Sequence, residues 1–97
     1  MNKISAEELK NWIDNNKDFQ LLDVRELKER ELFALPDTHH IPIAKILGGY
    51  FDNLILDKPV VLYCQSGGRS ARAAKFLKQN GFEKVYSLDG GIIKYRL

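Results

Sequence analysis

Cys64 has no second cysteine to pair with, so an internal disulfide is excluded. Between Met1 and Leu9 there is no apolar signal segment, and a reducing cytoplasm is the expected setting. No apolar run approaches membrane-spanning length, which argues against a membrane partner. Excess charge is also missing: 15 Lys and Arg face 13 Asp and Glu, scattered along the chain for a net charge of +2, so nucleic acid is not an expected partner either. No Cys/His set has metal-ligand spacing, and there is no repeat, low-complexity tract or linker. What remains is 97 residues, 44% of them hydrophobic, enough for a single domain over 1–97 with a real core.

The informative stretch is Pro59-Val60-Val61-Leu62-Tyr63-Cys64-Gln65-Ser66-Gly67-Gly68-Arg69-Ser70. Val60 to Tyr63 is too short for a helix and rich in β-branched and aromatic residues, which predicts a strand covered on both faces. From Ser70 to Gln79 the spacing becomes helical, with Ala73, Ala74, Phe76 and Leu77 on one face and Arg72, Lys75 and Gln79 off it. Asn80-Gly81 supplies the stop. Strand, glycine turn and helix put Cys64 at the carboxyl end of a sheet strand, where α/β proteins keep their ligands. Without Cβ atoms, Gly67 and Gly68 let the backbone curl and aim N–H groups inward, and the helix start adds its own unpaired N–H groups. Such an anion cradle, together with Arg69, is expected to lower the Cys64 pKa toward the roughly 3.5–7.5 of activated cysteines. The plainer alternative, a small buried core cysteine, does not account for Gly-Gly-Arg at a helix start.

In chain order, Asn2-Lys3-Ile4 predicts an edge strand, and Ser5-Ala6-Glu7-Glu8 a capping box opening a helix whose Leu9, Trp12 and Ile13 face the core. Phe19 to Val24 predicts a second buried strand, ending in Asp23 and Arg25 at the edge that holds Cys64. These two read first as a strand-end ion pair that supports the site from behind. Leu27 to Leu35 predicts a short charged helix with a solvated face. His39 and His40 fall on a third strand and should face opposite ways; with no third ligand they predict no metal site. Ile43 to Leu56 predicts a helix interrupted at Gly48-Gly49, with Tyr50, Phe51, Leu54 and Ile55 inward; the glycine pair is alternatively a flexible segment beside the site. Lys84 to Leu88 is the last strand and Asp89-Gly90-Gly91 the last turn. The expected fold is a three-layer α/β domain, a mainly parallel sheet of about five strands with helices on both faces.

Cys64-Gln65-Ser66-Gly67-Gly68-Arg69-Ser70 resembles the active-site loop of the rhodanese family of sulfurtransferases. Leu21-Leu22-Asp23-Val24-Arg25-Glu26, Leu35-Pro36-Asp37-Thr38-His39-His40-Ile41-Pro42 and Leu88-Asp89-Gly90-Gly91-Ile92 extend the likeness in the family's order. Asp37 stands where glycine is usual, and Tyr95 where a tryptophan-bearing helix often follows. The resemblance implies a catalytic Cys64 carrying a persulfide, Gln65, Ser66, Gly67, Gly68 and Arg69 as the substrate-binding loop, and Asp23 and Arg25 as anion-binding or supporting residues; Arg72, a turn further along the helix, reads as a contact for an anionic donor or else a solvated helix charge. It implies no organic cofactor or metal, the persulfide itself being the intermediate. Partners would be a small-molecule sulfur donor such as thiosulfate or a persulfidated protein, and a sulfur-carrier protein. The Pro36 to Ile46 stretch is also similar to rhodanese domains attached to adenylyltransferases of cofactor thiolation. Two other readings stand beside the enzyme: a non-catalytic interaction module, which commonly lacks the cysteine, and a relative of phosphatases or arsenate reductases, whose loops hold five residues between Cys and Arg rather than four.

Overall fold

The computed structural model describes residues 2–97. Five strands, β1 (Asn2–Ile4), β2 (Gln20–Asp23), β3 (His39–His40), β4 (Val60–Tyr63) and β5 (Val85–Leu88), form one sheet in the order β1-β5-β4-β2-β3, every pair parallel. Between and after them lie α1 (Ala6–Asp14), α2 (Leu27–Leu32), α3 (Ile43–Leu47), α4 (Gly68–Gln79) and α5 (Gly91–Tyr95).

The central strand shows why the sheet is covered on both sides. Along β4, Val60, Leu62 and then Cys64 enter one core with Ile46, Ala73, Ala74 and Leu77, while Val61 and Tyr63 enter the other with Leu9, Leu88 and Ile92. The two-residue period of a strand delivers alternate side chains to the two layers. In the first core Phe51 meets Phe82 and Phe76 edge-to-face at centroid distances of 5.8 and 6.3 Å; in the second Trp12 meets Phe19 and Tyr86 at 5.4 and 5.3 Å.

Three elements differ from the sequence expectation. The charged helix stops at Leu32, because Phe33 turns fully extended to send the chain back toward the sheet. The helix opening at Ile43 closes after five residues at Gly48, and Gly49 takes a positive φ of 93°, so the segment up to Pro59 is irregular. Phe51 and Leu54 anchor that segment, whereas Tyr50 at 69% and Ile55 at 50% exposure face outward. What holds it instead is Gln20, whose side-chain amide donates to the Ile55 and Lys58 carbonyls at 2.9 and 3.2 Å and accepts from the Ile55 N–H at 2.6 Å. Ile13, expected inside, is 39% exposed, since α1 reaches the core through Leu9 and Trp12.

At the carboxyl edge, Asp23 is fully buried and accepts from three directions. Arg25 binds it through Nε at 3.0 Å, Nη2 at 2.9 Å and the backbone N–H at 2.9 Å, and Arg30 of α2 adds Nη1 at 2.9 Å. Arg25 also donates to the Phe33 carbonyl at 2.6 Å. Burial raises the Asp23 pKa, but the hydrogen bonds from Arg25 outweigh it, and the carboxyl is held below its ordinary 3.8. Its stabilisation of the fold is therefore present above the ordinary value and is lost as pH falls through the depressed one. Asp23→Ala leaves buried Arg25 without its counter-charge and should cost about 3–5 kcal/mol in urea unfolding at pH 7. A loss under about 1 kcal/mol would mean that Arg25 finds full solvation elsewhere.

Candidate functional site

Cys64 leaves β4 just past Tyr63, the residue that lies in register beside Asp23. The thiol is 1% exposed, at the floor of the turn that joins β4 to α4. Gly67 adopts a φ of 112°, closed to residues with a Cβ except under strain, and this turns its N–H onto Cys64 Sγ at 3.1 Å. The Ser70 N–H also reaches Sγ at 3.3 Å, and the Ser70 hydroxyl lies 3.5 Å from it. That hydroxyl is oriented in turn by the Gly67 carbonyl at 3.2 Å and Ser87 Oγ at 2.8 Å. Burial pushes the thiol up; the hydroxyl and N–H of Ser70 and the N–H groups of Gly67 and Arg69 more than offset it, and the pKa is lowered.

The second glycine turn locks the loop in place. Gly91 packs so tightly on the backbone that a Cβ there would stand 2.7 Å from Ser66 N, and its φ is +64°. Ile92 N–H then donates to the Cys64 carbonyl at 2.9 Å and Ile93 N–H to the Gln65 carbonyl at 3.1 Å. The start of α5 therefore fixes the backbone of Cys64 and of the first residue of its loop.

The structure gathers Cys64 and the loop of Gln65, Ser66, Gly67, Gly68 and Arg69 in one place, with Gln65, Ser66 and Gly68 exposed. Arg69 carries a second task besides the expected one. Its guanidinium is engaged by Glu29 of α2, Nη1 to Oε1 and Nη2 to Oε2, both at 2.7 Å, so Arg69 gives the thiol a hydrogen bond through its backbone N–H and acts on it with its side chain through charge alone. Arg72 is exposed on α4, outside the hydrogen-bonded cluster around the sulfur. Asp23 and Arg25 stand behind the loop as the buried pair already described. His40 gives its ring Nε2 to the Arg25 carbonyl at 2.7 Å, and His39 is exposed.

Three residues of this neighbourhood escaped sequence reasoning. Glu29 and Arg30 read as a solvated face, yet Glu29 turns toward the loop and Arg30 toward Asp23; the one local signal was the three-residue spacing of Glu29 from Glu26, whose N–H it accepts at 3.0 Å in a capping box, and Arg30 carried none. Ser87 carried no local signal. Next to the loop opens a cleft of about 350 Å³ lined by Glu29, Leu32, Phe33, Gln65, Ile92, Ile93 and Arg96, with Arg25 at its base.

The family model for the Rhodanese-like domain matches residues 5–97. The chain belongs to that family. Among solved structures, this rhodanese domain superposes on a rhodanese-related protein from Thermoplasma volcanium with a TM-score of 0.88 at 32% identity, covering 99% of this chain and 91% of that one. A protein named sulfurtransferase from Allochromatium vinosum is 33% identical over 95 residues, which are 98% of this chain and 88% of that protein. The probable adenylyltransferase/sulfurtransferase MoeZ of Mycobacterium tuberculosis is 34% identical over 93 residues, 95% of this chain but 24% of that protein. Against the first curated relatives it matches, the rhodanese domain spans 14% to 60% of their length. No helix among the described residues is long and apolar enough to cross a membrane.

These contacts rank the loop residues. Ser70→Ala removes a hydroxyl that lowers the thiol pKa, so the pH profile of Cys64 alkylation should move upward. Arg69→Ala keeps the backbone N–H and should move it less. The reverse order, measured by iodoacetamide kinetics between about pH 5 and about pH 10, would return the leading role to the guanidinium.

Proposed function

We propose that this rhodanese domain is a sulfurtransferase in which Cys64 carries sulfane sulfur as a persulfide. The observation that carries the reading is the convergence of the Gly67 and Ser70 N–H groups on a thiol whose pKa they lower. A cysteine that only filled core would need no such donors.

The chemistry is two displacements at sulfur. The Cys64 thiolate attacks the outer sulfur of a donor, thiosulfate, a thiosulfonate anion or an organic or protein persulfide; the new S–S bond forms as the donor's own bond to that sulfur breaks, and sulfite, a sulfinate or a thiolate respectively leaves with the electron pair. An acceptor nucleophile then takes the outer sulfur, and Cys64 departs as the thiolate it began as. No net oxidation of the protein occurs, and neither step calls for a metal or organic cofactor. The N–H groups serve both the starting thiolate and the terminal sulfur, because charge sits on sulfur in each state and fixed dipoles need no reorganisation. A protein partner that delivers or accepts sulfur fits the same scheme, and sulfur-transfer partners of this kind belong to the proposal.

A non-catalytic interaction module would have no use for a depressed thiol. A phosphatase-type reaction would need room for a tetrahedral oxyanion, and four residues between Cys64 and Arg69, with Gly67 N–H already on Sγ, leave little. Incubation with an organic thiosulfonate or persulfide should add one sulfur, about 32 Da, to the intact protein, and Cys64→Ala should stay unmodified with an unchanged far-UV circular dichroism spectrum. Wild-type protein that gains no sulfur under these conditions would refute the transfer role; hydrolysis of aryl phosphates at a useful rate would favour the oxyanion reading.

A further inference from the structure

Around the mouth of the loop three guanidinium groups are paired with two acids. Arg25 and Arg30 are both spent on Asp23, and Arg69, the guanidinium of the loop itself, is clamped at two points by Glu29. Glu29 lines the cleft beside Gln65, in company with Leu32, which is 89% exposed, and Ile93. Arg96 also lines it, lying over the Phe33 ring at 4.1 Å. The Arg69 guanidinium lowers the Glu29 carboxyl to about 2, so the acid stays charged throughout the working pH range.

We infer that Glu29 is the residue that sets donor selectivity: by neutralising Arg69 at the mouth of the Cys64 loop, it disfavours doubly charged inorganic donors such as thiosulfate relative to donors with less charge and an apolar body. The inference rests on the sulfurtransferase reading and names its substrate class. Its logic is electrostatic. A dianion approaching the loop meets a carboxylate, and the guanidinium that would attract it is already paired; to recruit Arg69 it must break a bidentate bridge. A less charged donor is repelled less, and its organic part finds Leu32, Phe33, Ile92 and Ile93 along the approach. Glu29 touches neither sulfur nor donor in this scheme. It acts through Arg69, as a specificity-determining residue.

Thiosulfate and a thiosulfonate separate charge from shape, because one oxygen of the former is replaced by an organic group in the latter and the charge falls by one; methanethiosulfonate, with a methyl group there, is the probe. Glu29→Gln retains an oxygen to accept the Glu26 N–H, so the α2 cap survives, while the charge on the mouth changes by one unit. The measured quantity is the ratio of kcat/KM for the two donors, with cyanide as acceptor. In Glu29→Gln the ratio should shift toward thiosulfate by about fivefold, the size expected for one unit charge acting through partly screened solvent. The double variant Glu29→Gln/Arg69→Gln should bring the ratio back toward wild type, which a general loosening of α2 would not do. The shift in Glu29→Gln should also shrink in high salt. An unchanged ratio in Glu29→Gln, or a shift that survives removal of Arg69, overturns the inference while leaving sulfur transfer intact. Failure of both donors to load Cys64 in the wild type overturns the sulfurtransferase reading and this inference with it.

Discussion

The buried carboxylate of Asp23 is the interaction on which the geometry of the site depends. It ends β2, pairs in register beside β4, and draws Arg25 back onto its own strand while pulling Arg30 in from α2. Through Arg25 it reaches the Phe33 carbonyl, where the chain leaves α2. A six-residue helix with no buried residue has little hydrophobic reason to sit anywhere in particular. Two guanidinium groups on one carboxylate supply the reason, and Glu29 is thereby set opposite Arg69. Charge pairing thus does for α2 what apolar packing does for α4.

Legibility in the sequence tracks the strength of local constraint. Val60 to Tyr63 announces a doubly covered strand because its positions are apolar on both alternations, and it is one. The Ser5 capping box, the glycine turns and the Asn80-Gly81 stop are short-range devices, and each stands where its residues place it. The segment 43–56 misleads for the opposite reason. Its apolar residues are close to helical spacing, but Gly48 and Gly49 end the helix, and Ile55 beyond them is clasped by Gln20, thirty-five positions away. Arg69 shows the same limit at the site. Proximity in sequence to Cys64 suggests that Arg69 acts on the sulfur; that a distant glutamate on an apparently solvated face holds both arms of the guanidinium, leaving the sulfur its backbone N–H and its charge, has no local signal.

The shared environment of Ser70 ties the thiol to the architecture. Its N–H and hydroxyl face the thiol, its hydroxyl meets Ser87 on β5, and its place in α4 is among Ala73, Ala74 and Leu77. No buried side-chain nitrogen or oxygen among the described residues lacks a partner. The polar atoms beneath the loop are therefore fixed by one another, which is what a preorganised set of dipoles requires.

The strand order has a consequence for how the chain acquires its shape. β1, residues 2–4, has a single neighbour, β5, residues 85–88, and α1 lies with α5 on the same layer. During synthesis on the ribosome the first strand has no template until β5 has emerged, and the α5 turn that fixes the cysteine loop comes later still. The earlier pieces, β2 with β4 and the α4 layer, can associate first, but the long stretch of chain between β1 and β5 must close before the sheet is complete. The contacts that hold the Cys64 and Gln65 carbonyls thus come from the last part of the domain to be synthesised, while the donors to the sulfur itself lie within six residues of it.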